Sequence, residues 1–425
     1  MTQQDGRLGP TGTVAFDRSA AGLTGLVVKG FLLSLVTFSI YRFWYITNLR
    51  RFFWSRTVVA GSPAEYLGRG KELFLGFLVA LAILVPVYLV LFILGFAVPL
   101  LEPLVPFLSA VFLFLLGQYA IFRGRRYRAS RTRWRGIRLG QDGSAFAYMV
   151  RASLWWLLTI LTLGLAFPFM RAGLERYRIG HTLIGESRLR STATGRSVLW
   201  PWLMFYLFAI LPILLSGFGL LSAAGFDLPS DLYLPDPNGK SNSFVLNPKY
   251  AGTALEFFMV AGMAAFGFAI LAVFWLTPYY RAREARAFLA ATHLGEARLV
   301  SHLKARQFYW PYILYFLSVV GLFIVVGIVL AVIVPLVADP KANPGMQAAT
   351  IAGGGLLYLG TLLGAAVLYV RVVTLRLWRA VADTTGIENV AALEAVLASA
   401  RTPASGLNEG LADALDVGGA LEIGF

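Results

Sequence analysis

The sequence predicts an all-α polytopic membrane protein: six transmembrane helices plus two re-entrant or half-immersed helical hairpins, joined by short cytoplasmic strands or extended linkers. Three observations lead there. Of the 425 residues, 58% are hydrophobic and only 14% charged, against about 25% charged in soluble domains. The apolar residues gather into blocks at about 22–48, 73–98, 104–122, 148–170, 198–224, 254–276, 309–337 and 350–370, and roughly 20 such residues cross a hydrocarbon core of about 30 Å. Finally, all of the 37 Lys and Arg except Lys29, Lys240, Lys249 and Lys341 fall in one set of segments: the N-terminal segment, Arg42, the linkers near 49–71, 123–151, 171–196 and 277–306, and the chain from Arg371 onward. Basic connections stay in the cytoplasm, so these segments are expected there and the acidic connections near 99–103, 225–256 and 338–349 outside.

Residues 1–21 are polar and lack the basic, apolar, small-residue order of a signal peptide, so the first apolar block is expected to be retained behind a cytoplasmic N-terminal segment. The block at 22–48 has basic segments on both sides and must leave where it enters. A turn signal, Thr37-Phe38-Ser39-Ile40, lies in its middle. The block at 148–170 behaves alike, with Thr162-Leu163-Gly164-Leu165 and Pro168, and the two align at an offset of 125 residues. Each half, about 14 residues or roughly 21 Å of helix, is too short to span. The alternative is that both blocks cross and the charge rule fails locally. The other six blocks cross as three hairpins with acidic outer turns. An acidic cytoplasmic tail, 387–425, ends the chain, either folded back onto the basic linkers or disordered.

Self-similarity divides residues 22–386 into five hairpin units, about 22–61, 62–136, 137–185, 186–295 and 296–386. Each carries Arg-x5-Thr where the chain returns to the cytoplasm: Arg51/Thr57, Arg126/Thr132, Arg176/Thr182, Arg286/Thr292 and Arg379/Thr385. A Gly turn and a short alternating segment usually follow, as in Arg188-Leu189-Arg190-Ser191 and Arg298-Leu299-Val300-Ser301, which read as short strands or extended linkers.

Four stretches carry a resemblance to a known family: Thr37-Phe38-Ser39-Ile40-Tyr41-Arg42-Phe43-Trp44, Glu65-Tyr66-Leu67-Gly68-Arg69-Gly70-Lys71-Glu72-Leu73, Thr132-Arg133-Trp134-Arg135-Gly136 and Glu409-Gly410-Leu411-Ala412-Asp413-Ala414-Leu415-Asp416. Over most of its length the chain resembles the YjgN-type bacterial inner-membrane proteins, a family of unknown function. Ser39 departs from the Gly expected in the first turn, whereas Gly164 supplies it in the second. The resemblance implies a multi-pass inner-membrane protein and no particular activity.

The absence of cysteine excludes disulfides, thiolate-ligated metals and thiol catalysis. His181, His293 and His302 lack metal-ligand spacing, and no phosphate-binding loop, nucleophile elbow or zincin motif is present, so no metal, cofactor or enzymatic activity is expected. The stretch Arg123–Arg138 has the look of a nucleic-acid patch but follows a span directly, which fits contact with anionic lipid on the cytoplasmic face, not nucleic acid. Arg51, Arg126, Arg176, Arg286 and Arg379 either ring a vestibule for an anionic solute or anchor helix ends to lipid headgroups. Lys29, Gln118 and Glu102 are the polar candidates in or near the apolar blocks. Lys29 is expected to snorkel, to pair, or to serve a substrate or proton. Two functions follow as expectations: transport of a small solute, anionic or neutral, through a cavity at the re-entrant hairpins, or a membrane-organising, anionic-lipid-binding scaffold without transport.

Overall fold

The computed structural model describes residues 12–17, 19–98, 101–235, 244–337, 344–394 and 396. A short pair of helices, α1 (Leu23–Val36) and α2 (Arg42–Ser55), is followed by α3 (Gly70–Ala97) and α4 (Val105–Ser130), then by a second short pair, α5 (Ala145–Leu161) and α6 (Phe167–Gly180). Helix α7 (Leu199–Phe205) runs through a π-helical turn, Tyr206–Ile210, into α8 (Leu211–Ala223). Then come α9 (Ala254–Ala290), α10 (Arg306–Val337) and α11 (Pro344–Leu368), which passes through a second π-helical turn, Tyr369–Thr374, into α12 (Leu375–Asp383). Among the described residues six stretches are long and apolar enough to cross a membrane: Gly70–Ala97, Glu102–Ser130, Gly195–Ala223, Ala254–Ala290, Arg306–Val332 and Ala352–Asp383. Large apolar side chains along them are widely exposed, Phe92 by 70% and Phe96 by 87%, as suits lipid and not water.

The fold is not all-α. The chain forms strands β1 (Gly12–Phe16), β2 (Thr57–Val59), β3 (Ser62–Tyr66), β4 (Thr132–Trp134), β5 (Ile137–Gln141), β6 (Thr182–Ile184), β7 (Ser187–Ser191), β8 (Tyr233–Pro235), β9 (Phe244–Leu246), β10 (Thr292–Leu294), β11 (Ala297–Ser301) and β12 (Thr385–Glu388). β8 and β9 pair only with each other; the remaining strands close into one antiparallel barrel, in the order β1-β12-β11-β10-β7-β6-β5-β4-β3-β2. The segments expected as isolated strands or linkers are therefore the wall of a single closed sheet. Strands of three residues carry too little alternation to stand out from linkers, and closure depends on pairings that no local window contains.

The barrel consists of four hairpins and one pairing between strands far apart in the sequence. The four hairpins have two-residue loops, and in each a glycine, Gly61, Gly136, Gly185 or Gly295, takes the positive φ that the tight turn needs. The remaining pair brings together strands from near both ends of the chain, β12 with β1, placing Gly12 opposite Ile387 and Thr13 opposite Gly386. Inside, Trp134, Leu294, Ala297 and Ile387 pack with Val14, Val59, Leu139, Ile184, Leu189 and Leu299. Leu393 and Val396, from the segment after β12, complete this apolar filling.

Each Arg-x5-Thr joins a helix to the barrel. Thr57, Thr132, Thr182, Thr292 and Thr385 each open a strand, and each hydroxyl donates to the carbonyl four residues back: Phe53 (2.8 Å), Arg128 (2.8 Å), Arg178 (2.9 Å), Phe288 (2.9 Å) and Val381 (2.7 Å). A carbonyl left without an amide partner at the helix end thus gains a donor just as the chain turns into the sheet.

The pairs α1–α2 and α5–α6 lie between barrel strands, so each begins and ends on the barrel side. Their tips match. Thr37 Oγ1 donates to the Leu33 carbonyl (2.6 Å) and accepts from the Tyr41 amide (2.9 Å), while Thr162 Oγ1 donates to Leu158 (2.7 Å) and accepts from Ala166 (3.1 Å). These bonds satisfy backbone groups at tips whose Phe38 (93%) and Leu161 (71%) are exposed, a requirement for any turn that meets lipid.

Candidate functional site

Alternation along the strands turns the five threonines to the same side as Val59, Trp134, Ile184, Leu294 and Ile387, which stand two residues further on within the barrel core. The threonines and their register partners, Phe16, Tyr66, Gln141, Ser191 and Ser301, thus form a ring at the helix-bearing end of the barrel. One sector is aromatic: Trp378 Nε1 donates to Thr57 Oγ1 (2.8 Å) and Trp54 Nε1 to Thr132 Oγ1 (3.1 Å), with the two indoles 5.3 Å apart. The other sector, Gln141, Thr182, Ser191, Thr292, Ser301 and Thr385, is polar.

Charged side chains stand above the ring. Arg171 makes a two-pronged ion pair from α6 to Glu284 on α9, Nε to Oε1 at 2.7 Å and Nη2 to Oε2 at 3.0 Å, and Tyr280 donates to the same carboxylate at 3.2 Å. One turn along α6, Arg178 Nη2 reaches Glu175 Oε2 at 2.5 Å, and Arg125 approaches Glu175 from α4. Burial alone would raise the Glu175 pKa, but Arg178, Arg125 and Arg171 together hold the carboxyl below its ordinary value. No group of three or more His, Asp or Glu suited to a metal occurs among the described residues.

A second feature lies at the barrel-side ends of α10 and α12. A cleft of about 1000 Å³ is lined by Arg306, Arg376, Arg379 and Asp383, together with Trp310 and Ile313 among others. Asp383 is already engaged, accepting the Phe16 amide at 3.1 Å. Arg379 lies 5.8 Å from the Phe16 ring, and Trp310 is 58% exposed. The cleft therefore pairs cationic heads with an aromatic and aliphatic wall.

The sequence-predicted residues are distributed as follows. Arg51, Arg176 and Arg286 are exposed and Arg126 and Arg379 half-buried. Two residues from the position that bonds to the threonine, each arginine is turned about 200° from it around the helix. Arg51 donates to the Gly68 carbonyl (2.7 Å) and Arg126 to that of Gly143, bracing a helix end against the chain that follows the next hairpin. Of the five, Arg379 lines the cleft. Lys29 is exposed on α1, Gln118 is half-buried in α4, and Glu102 is exposed at the start of a short turn, Glu102–Leu104, between α3 and α4. These three are not brought together. Sequence reasoning missed Gln141, Arg125, Arg178, Arg306 and Arg376. For Arg125 and Arg178 the available signal was their spacing, seven and four residues before a repeat threonine.

A family model described as "Bacterial protein of unknown function (DUF898)" matches residues 11–414. No curated protein and no solved structure matches the chain.

Proposed function

The chain belongs to this bacterial family, and from that premise we propose that it is an inner-membrane scaffold that binds anionic phospholipid headgroups, without catalysis, in the cleft between α10 and α12. The observation that carries the reading is the composition of the cleft: three guanidiniums, Arg306, Arg376 and Arg379, face one carboxylate that is already hydrogen-bonded. Guanidinium offers planar, two-pronged contact to phosphate, and the Trp310 and Ile313 wall suits the glycerol and upper acyl region of a lipid. In this reading the barrel and both termini lie on the cytoplasmic side, where basic residues collect. The two short helical pairs are half-immersed in the adjoining leaflet. Solute transport through a cavity at those pairs, the first of the two functions expected from the sequence, is not adopted. Apolar side chains pack the pairs against their neighbours, and beyond the polar ring at its helix-bearing end the described barrel core is apolar.

The test is stabilisation by lipid. In detergent micelles doped with phosphatidylglycerol, the wild-type chain is expected to unfold at higher temperature than in micelles doped with phosphatidylcholine. Replacing Arg306 and Arg376 by Gln should remove about 2 kcal/mol of headgroup attraction, roughly a thirtyfold loss of apparent affinity at about 1 kcal/mol per basic residue. Removing equal charge from the barrel wall, in R133Q/R190Q, should leave the phosphatidylglycerol effect in place. Equal stabilisation by both lipids, or an equal loss in both variants, contradicts the reading.

A further inference from the structure

The polar sector of the threonine ring contains a side chain that the protein does not satisfy. Gln141 is 7% exposed, and neither its Oε1 nor its Nε2 has a hydrogen-bond partner. It faces inward, in step with Leu139 and Ile137, and stands opposite Thr182 in register. Thr182 Oγ1 bonds to the carbonyl of Arg178, so the Arg178 backbone lies one helical turn above the amide. Arg178 commits Nη2 to Glu175, yet its buried Nε has no partner either. Thr182 and Thr292 add hydroxyl oxygens to the same sector.

The charges around this point do not balance. Arg171 and Glu284 neutralise each other. What remains is Glu175 between the guanidiniums of Arg178 and Arg125, with Arg128 a further cation near Arg125, so positive charge outweighs negative there. Buried polar groups are almost always bonded, and a buried cation without a counter-charge is strongly disfavoured. A single bound anion would relieve both conditions. A tetrahedral oxyanion suits the donors, because its several oxygens can accept from an amide and a guanidinium at once.

We propose that the helix-side end of the barrel holds a phosphate-type oxyanion between the Gln141 amide, Arg178 Nε and the charge of Arg125. This site is separate from the cleft between α10 and α12 and does not depend on that cleft's binding lipid. Its phosphate group comes either from a soluble compound or from a lipid headgroup drawn in from the neighbouring leaflet.

The test uses the full chain in a zwitterionic detergent and follows thermal unfolding against inorganic phosphate, with sodium chloride at equal ionic strength as reference and phosphatidylglycerol as a second arm. Saturable stabilisation by phosphate beyond chloride is expected. Gln141→Leu, which removes the unpartnered amide, should unfold no earlier than wild type in chloride while losing the phosphate effect. Arg178→Gln should weaken the apparent affinity about tenfold or more, the loss of one charge-assisted hydrogen bond. The cleft variant R306Q/R376Q should keep the phosphate effect. Stabilisation by phosphatidylglycerol alone, abolished in Q141L but kept in R306Q/R376Q, identifies the source as a headgroup and supports the same site. No phosphate or phosphatidylglycerol effect beyond chloride, or an effect that survives both Q141L and R178Q, overturns the proposal.

Discussion

Replacing Trp378 by Ala is expected to cost about 4 kcal/mol of stability, within the range for removing a buried large aromatic side chain. Trp378 is 5% exposed and lies in a core of Phe16, Leu23, Val27, Leu49, Phe53 and Leu375. Its ring is 5.3 Å from both Phe53 and Trp54. The indole N–H donates to Thr57 Oγ1, which ties the last helix of the chain to the first threonine of the ring. The substitution thus removes core volume at the seam where the two chain ends meet. Trp378→Phe separates the contributions: it keeps most of the packing and loses the N–H, at a cost of about 1 kcal/mol for the hydrogen bond plus the smaller ring. Equilibrium unfolding in mixed micelles checks both. A W378A penalty under about 1 kcal/mol would show that the seam is not a packed core.

Glu284→Gln is the second large effect, about 2–4 kcal/mol. The upper part of the range for breaking a buried pair is discounted because the Arg171 side chain keeps 30% exposure. Gln retains one acceptor for Arg171 or Tyr280 but removes the charge, leaving a half-buried guanidinium between α6 and α9. Replacing both partners by Met should be less harmful than E284Q alone, since the cost lies mainly in stranding one charge. A double variant worse than the single one would mean that the pair contributes net stability.

Much of the helical layout was legible. A block at 73–98 corresponds to Gly70–Ala97 and one at 254–276 to the first part of Ala254–Ala290, because a membrane-length apolar run is a local signal. The turns at Thr37–Ile40 and Thr162–Leu165 were also legible, since Thr, Ser and Gly interrupt otherwise apolar runs. The barrel was not. Gly12–Phe16 lies in a segment that reads only as polar, and its partners are Thr57–Val59 and Thr385–Glu388, at opposite ends of the sequence. The spacing of Arg-x5-Thr was visible, but it drew attention to the arginine. The structure gives the threonine the joint role, and buried charges gather near it that the repeat did not single out: Arg50, which donates to Tyr66 of the ring, and the group of Arg125, Glu175 and Arg178. Gln141 was invisible as a candidate because its interest comes from the absence of a partner, which a sequence cannot display.

Four hairpins close into a barrel only through the pairing of β1 with β12, and the cysteine-free chain allows a direct test of that closure. Thr13→Cys and Gly386→Cys stand opposite each other in that pairing. With a protease site placed within 236–243, cleavage divides the chain into two fragments. The closed barrel predicts that mild oxidation in membranes joins T13C to G386C, so that the cleaved halves remain one species on a non-reducing gel and separate on reduction. A control pair divided between the same two fragments but separated by two strands, T13C on β1 with H293C on β10, should not join. Fragments that separate without reductant, or equal joining in the control, would contradict the closed barrel and with it the ring on which both proposed sites are positioned.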